Sequence, residues 1–378
     1  MPSKSLRNAV MLAFPGLFCI LRMCAPRRAA AVVRPRGHEK SADRRRRILI
    51  SRLLIIRALV PRRKSLFPAY FKGFPAVSPL IPSYPAFLKY PVSPQRFWMT
   101  ATPKVAAIHD ISGFGRCSLT VALPILSVMG VQCAVLPTAY LSTHTAFPDF
   151  TFLDLTEEMK KTMDHWQTLG LRFDAVYSGF LGCTEQIGVV EDFIRRFRKD
   201  NALAVVDPVM GDNGVRYVTY TDEMCEATCR LTEKADVITP NLTEAAFLLG
   251  EDYETLPRDK AGYAELCRAL SGGGARSVVL TGVSDGADTL GAAVFDRETG
   301  QVEFALTDRI PGEYHGTGDV FSSVLTGALV RGRKLTEAAA LAAKFVRDCA
   351  ERTFPQGTPM REGVDFEPLL YTIGADRL

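Results

Sequence analysis

The chain has 378 residues, enough for one large or two ordinary domains. Its formal net charge of +5 hides two unlike parts: residues 1–98 hold 20 Lys and Arg against 2 Asp and Glu, a net +18, and the rest holds 26 against 39, a net −13. The acidic part excludes a nucleic-acid binder working through a basic face, and a break this sharp argues that two kinds of polypeptide have been joined.

Residues 1–98 carry 12 of the 23 prolines and an Arg44–Arg47 run, without a sustained helical or strand period. Lys4 and Arg7 ahead of Ala9–Leu21 have the outline of a signal peptide, but Pro15 and Gly16 interrupt its apolar part. Abundant arginine with scarce acids also matches an organelle transit peptide. The favoured reading is an extension outside the folded protein, disordered or due to a start assigned upstream of Met99, with one domain over 99–378. Ile48–Val60 is short and broken by Arg52 and Arg57, so no membrane span is expected. A different-class alternative is a non-catalytic protein that uses the basic extension to bind nucleic acid. The nine cysteines form no CxxC pair, and Cys225 and Cys229 lack the histidines of a zinc site, which fits reduced thiols in the cytoplasm.

From Met99 onward, apolar β-rich runs alternate with helical patterns. Strands are expected at Lys104–His109, Val131–Leu136, Asp174–Ser178, Leu203–Asp207, Asp236–Thr239 and Ser277–Thr281, then a hairpin of Leu290–Phe295 and Val302–Leu306 about Asp296–Gly300. Helices are expected at Ser118–Met129, Glu157–Leu169, Gln186–Lys199 and Lys260–Leu270. Alternation of this kind gives an α/β fold with a mostly parallel sheet covered on both faces. Ligands of such folds sit at the carboxyl ends of the strands, so the polar residues there carry the chemistry.

The first strand runs into Asp110-Ile111-Ser112-Gly113-Phe114-Gly115-Arg116, where glycines let backbone approach a ligand. The fourth ends in Asp207-Pro208-Val209-Met210-Gly211-Asp212, a carboxylate suited to a metal or phosphate site, or to a turn. The fifth ends in Thr239-Pro240-Asn241-Leu242-Thr243-Glu244. Here Asn241 and Glu244 have capping-box spacing, and Glu244 is also a candidate to order water on Mg²⁺. His315-Gly316-Thr317-Gly318-Asp319 precedes apolar residues at helical spacing, so its glycines open a helix whose free N–H groups and dipole favour an anion. Asp319 in that first turn is either a dipole-compensating residue or a general base beside an anion hole. No Gly-x4-Gly-Lys-Ser/Thr motif is present, so this is not a P-loop.

Five segments in order, Ser142-Thr143-His144-Thr145, Ser178-Gly179-Phe180-Leu181-Gly182, Asp207–Gly211, Thr239–Glu244 and Gly316–Asp319, resemble the ribokinase superfamily and, within it, the vitamin B6 kinases. The likeness spans Lys104 to the C-terminus. It implies a three-layer αβα ribokinase-like fold, ATP with Mg²⁺ and possible monovalent-cation assistance, a small-molecule acceptor, and a homodimer. The implied reaction is phosphorylation of the 5′-hydroxymethyl of pyridoxal, pyridoxamine or pyridoxine. By the same resemblance Asp319 is the base and Gly316, Thr317 and Gly318 the anion hole. Asp207 and Glu244 are the nucleotide–metal carboxylates, Thr239 and Thr281 border ATP, Thr145 contacts the acceptor, and Phe180 lies beside its ring. One departure stands out: the usual substrate-binding serine falls on Asp110 and not on Ser112. Hydroxymethylpyrimidine kinases of thiamine synthesis share the Gly-Thr-Gly-Asp centre. The run from Ser142 to Thr145, and Asp207–Asp212 continuing to Tyr217-Val218, favour vitamin B6.

Overall fold

Strand β1 (Lys104–Ser112) explains the layering of the protein. In a computed structural model, which describes residues 101–375, its side chains alternate between two cores. Val105 joins one, and Ala106 and Ile108 the other. This period of two is what a strand buried on both faces requires. The expected extension 1–98 and the start at Met99 lie outside the described residues.

The remaining elements follow as helix α1 (Ser118–Val128), β2 (Gln132–Leu141), β3 (Phe152–Asp154), α2 (Thr156–Thr168), β4 (Phe173–Ser178), α3 (Thr184–Phe197) and β5 (Arg198–Val206). A hairpin of β6 (Gly211–Asp212) and β7 (Val215–Arg216) precedes α4 (Asp222–Thr232), β8 (Val237–Ile238), α5 (Leu242–Leu249) and α6 (Lys260–Leu270). Then come β9 (Ser277–Val283), β10 (Thr289–Asp296), β11 (Gln301–Asp308), α7 (Thr317–Val330) and α8 (Leu335–Thr353). Nine strands form one sheet in the order β11-β10-β9-β8-β5-β4-β1-β2-β3. From β9 to β2 every pairing is parallel, and antiparallel pairs close both edges.

Helices α1, α7 and α8 cover one face, meeting Val105, Ala175, Tyr177 and Val279. Helices α2 to α6 cover the other, where Phe173, Phe193 and Phe197 pack with centroids 4.6–6.3 Å apart. Each fully buried Phe or Leu of these layers is worth roughly 1.5–3 kcal/mol of transfer free energy. The three-layer expectation therefore holds. All eight expected strands occur, several longer than their apolar runs. One boundary moves: Arg198 and Lys199, assigned to a helix from sequence, open β5. Phe173 pairs with Arg198 there, and Arg198 reaches Asp236 at 2.8 Å, so long-range partners hold these residues extended. The seven cysteines among the described residues are free thiols. No helix among those residues is long and apolar enough to cross a membrane.

Candidate active site

The carboxyl ends of β5, β8 and β9 and the start of α7 open onto a cavity of about 460 Å³, within the range of small-ligand sites. Asp207, Thr239, Glu244, Thr281 and Gly316–Asp319 all line it. Four segments spread over more than a hundred residues of the chain, from Asp207 to Asp319, thus meet as the strand-end argument required.

Gly316 caps α7 with φ +74 and ψ +3, a left-handed conformation natural to glycine. A Cβ added to it would lie 1.9 Å from the Arg116 carbonyl oxygen, so no side chain fits there. With Gly316 held this way, the first N–H groups of α7 are free to meet an anion. Asp319, half-buried in that first turn, has its carboxyl pushed up to about 8. Burial is the main cause, the charges of Asp207 and Asp110 add to it, and the Ser118 backbone N–H opposes it.

Asp207 is 7% exposed, and burial pushes its carboxyl up to about 7 against the hydroxyls of Ser322 and Thr239. Glu244 is 4% exposed, with its carboxyl well above the ordinary range through burial and then the charge of Asp207. Its oxygens are engaged: Oε2 accepts from the Asn241 N–H at 2.8 Å, and Oε1 from the Met210 N–H at 3.1 Å. Asn241 Oδ1 accepts from the Glu244 N–H at 2.9 Å, so the capping box read from the sequence is formed. Thr281 donates both its N–H and its hydroxyl to the Pro240 carbonyl, at 2.8 and 3.3 Å.

Among the described residues, the leading charges that act on Glu244 and Asp319 are those of Asp207, Asp212 and Asp110, all negative. A hard cation would relieve that uncompensated charge, and oxygen donors suit Mg²⁺. Among the described residues no three His, Cys, Asp or Glu side chains cluster as a complete cage. The donor set therefore fits an ion that keeps waters and phosphate oxygens as ligands.

The residues expected on the acceptor side do not line this cavity. Asp110 is buried, accepting from the hydroxyls of Ser112 and Ser118, and burial raises its carboxyl. Phe180 is 8% exposed and packs with Met210, Tyr220 and Met224, its ring 6.3 Å from Tyr220. Thr145 is half-buried in the loop after β2. Two features escaped the sequence reading. His144 packs against Phe147 and His315 at 4.9 and 5.3 Å, and Phe147 also meets Phe114, which makes an aromatic group beside the start of α7. The β6–β7 hairpin places Asp212 and Asn213 at the cavity wall, with Gly214 N–H donating to Thr243 Oγ1 at 2.9 Å and Asn241 Nδ2 to the Gly211 carbonyl at 2.9 Å. Its signal was present as Asn213-Gly214, the pair favoured in two-residue hairpin turns, and both have positive φ.

The family model described as "Phosphomethylpyrimidine kinase" matches residues 129–363, more than half the chain. The chain belongs to this family, among the ribokinase-like vitamin B6 kinases. It is 32% identical over 190 residues to a pyridoxine kinase of Bacillus subtilis, covering 50% of this chain and 68% of that one. A Bacteroides thetaiotaomicron protein, provisionally assigned as a phosphomethylpyrimidine kinase and crystallised with pyridoxal, is 42% identical, with a TM-score of 0.69 over 72% of this chain and 96% of its own. Pyridoxal kinase from Lactobacillus plantarum is 33% identical, with a TM-score of 0.66 over 72% and 97%.

Proposed function

We propose that the protein is an ATP-dependent kinase that phosphorylates the 5′-hydroxymethyl group of a B6 vitamer. The observation that carries this is the meeting of Asp319, the Gly316–Gly318 helix start and the buried Asp207–Glu244 pair in one cavity. Of the three relatives described above, two are named as kinases of pyridoxine or pyridoxal and one was solved with pyridoxal.

Asp319 takes the proton of the attacking hydroxyl. Once ionised, a carboxyl raised to about 8 is a stronger base than an ordinary carboxylate, and its ionised fraction grows as the pH approaches 8. Gly316, Thr317 and Gly318 receive the transferring phosphoryl through N–H groups fixed before it arrives, so little reorganisation is needed. Asp207 and Glu244 are the residues that would hold Mg²⁺, which neutralises phosphate charge when bound. Thr239 and Thr281 border the phosphates, and the hairpin bearing Asp212 shields them from water. Asp110, locked by Ser112 and Ser118, acts on Asp319 through its charge, and Thr145 and Phe180 are assigned to the acceptor side. Exposed Tyr140, Phe152 and Leu153 at the β2–β3 edge support a homodimer. We assign the enzyme to the cytoplasm, with small molecules as its partners.

The test is turnover with ATP and Mg²⁺ of pyridoxal, pyridoxine, pyridoxamine and hydroxymethylpyrimidine in parallel. Phosphorylation of at least one B6 vitamer is expected. Turnover of the pyrimidine alone would replace this reading by the thiamine-pathway one, and the absence of any turnover would end both.

A further inference from the structure

Arg116 lies in the loop between β1 and α1, outside the cavity, yet it touches the anion hole through its backbone. Its carbonyl oxygen is the atom against which Gly316 is packed too closely for any side chain. The position of the Arg116 peptide therefore sets the position of Gly316, and with it the start of α7.

Arg116 is itself gripped by the segment that follows α8. Its Nε donates to Glu367 Oε1 and Oε2 at 2.9 and 3.0 Å, and its Nη2 to Asp365 Oδ1 at 3.3 Å. Asp365 is held from the other side by Arg352 Nε at 2.7 Å and Gln356 Nε2 at 3.1 Å, and its N–H donates to Thr353 Oγ1 at 2.8 Å. An isolated exposed ion pair does little. This one is forked, and its Asp365 side chain is only 15% exposed.

Residues 360–363 form a strap. Three successive carbonyls of it each take a hydrogen bond from a different site loop: Met360 from the His315 N–H at 3.1 Å, Arg361 from His144 Nε2 at 2.6 Å, and Glu362 from the Arg116 N–H at 3.3 Å. Gly363 follows with φ +80 and ψ −175, a region essentially closed to other residues. A Cβ there would meet Arg116 Cβ at 2.9 Å and the Arg116 and His315 carbonyl oxygens at 3.1 Å.

We propose that Arg116 is a positioning residue for phosphoryl transfer: clamped between Asp365, Glu367 and the strap, its peptide holds Gly316 and the anion hole in register with the acceptor loops. This rests on reading residues 316–318 as the phosphoryl cradle. Arg116 does not line the cavity, and as a positioning residue its loss is expected to act on the chemical step and leave binding almost intact.

Three variants test this: Arg116→Gln, Arg116→Lys and Glu367→Gln. Each is assayed for kcat and both KM values with pyridoxal and MgATP, for melting temperature, and for hydrogen exchange in the peptide spanning 313–321. Arg116→Gln is expected to lower kcat tenfold or more with both KM values within twofold, and to speed exchange at residues 315–318. Arg116→Lys keeps the charge without the fork, so it recovers part of that loss. Glu367→Gln, at a half-exposed position, gives a smaller loss in the same direction and decides the matter if the Arg116 variants do not fold. Unchanged exchange in 313–321, or a kcat that falls only with the folded fraction, overturns the proposal. If the wild-type protein turns over no B6 vitamer, the proposed function fails while the exchange measurement still decides this inference.

Discussion

The hydroxyl of Ser322 donates to that of Thr239 across 3.0 Å, joining the second turn of α7 to the end of β8. Both hydroxyls also act on Asp207, and Ser322 stands one helical turn beyond Asp319. The two carboxyls that the proposed chemistry most needs are thus set against each other by one pair of small polar side chains. Buried hydroxyls in a core helix cost free energy unless partnered, and here the partner is part of the site.

Replacing Asp319 by Asn removes the proposed base while keeping its shape. Turnover is expected to fall by about 10²–10⁴, with MgATP affinity within a few-fold by calorimetry. In the wild type, kcat/KM should rise with pH through a midpoint near 8 and level off above it, because Asp319 must lose its proton and burial has raised its carboxyl to about 8. Asp207 titrates nearby, at about 7, so the rise reports the pair of acids. The rising limb should vanish from the residual rate of the Asn variant.

Raised carboxyls also make the ligand-free protein pH-sensitive in stability. Between the ordinary carboxylate range and pH 8 the folded state holds protons that the unfolded chain releases, so stability falls as pH rises. Mg²⁺ with nucleotide should reverse the fall by binding the ionised acids. The melting temperature of the free protein is expected to be lower at pH 8 than at pH 5.5, and Mg²⁺-ADP to raise it more at pH 8. Asp207→Asn should remove much of both effects in the same thermal scans, with each kcal/mol read as about 2–4 °C for a domain of this size.

Asn241→Ala separates a local role from a functional one. The cap on α5 is worth about 0.5–2 kcal/mol, measured by urea unfolding. The same side chain ties Gly211 of the hairpin, so KM for ATP should rise several-fold while KM for the acceptor stays near its wild-type value. Equal changes in both KM values would show that the hairpin does not guard the nucleotide end.

What could be read from the sequence was whatever leaves a local signature. The β1 and β4 runs alternate between two cores, the Gly316–Asp319 segment opens a helix, and Asn241 with Glu244 forms its box, because each depends on neighbours a few residues away. Arg198 and Lys199 were misplaced because Asp236 and the β4 pairing hold them extended. The β6–β7 strands are two residues each, too short for any period, although Asn213-Gly214 marked their turn. Nothing near Arg116 in the chain announces Glu367, 251 residues away. The packing of Phe180 against Met210, Tyr220 and Met224 left no local signature, because those partners lie 30 or more residues away in the chain.

The three carbonyls of the 360–363 strap have a consequence for how the protein comes into being. Chains are made from the N-terminus and domains fold as they emerge. Every strand of the sheet and the whole of α7 precede the strap, so the fold can be nearly complete while the phosphate cradle still lacks its last support. A protein cut short after Thr353 would keep Asp207, Glu244 and Asp319 but lose every bond that residues 360–367 make to Arg116, His144 and His315. On the proposed role of Arg116, residues 360–367 support the cradle only after the sheet and α7 have been made, so a chain cut after Thr353 is expected to keep its fold and lose most of its turnover.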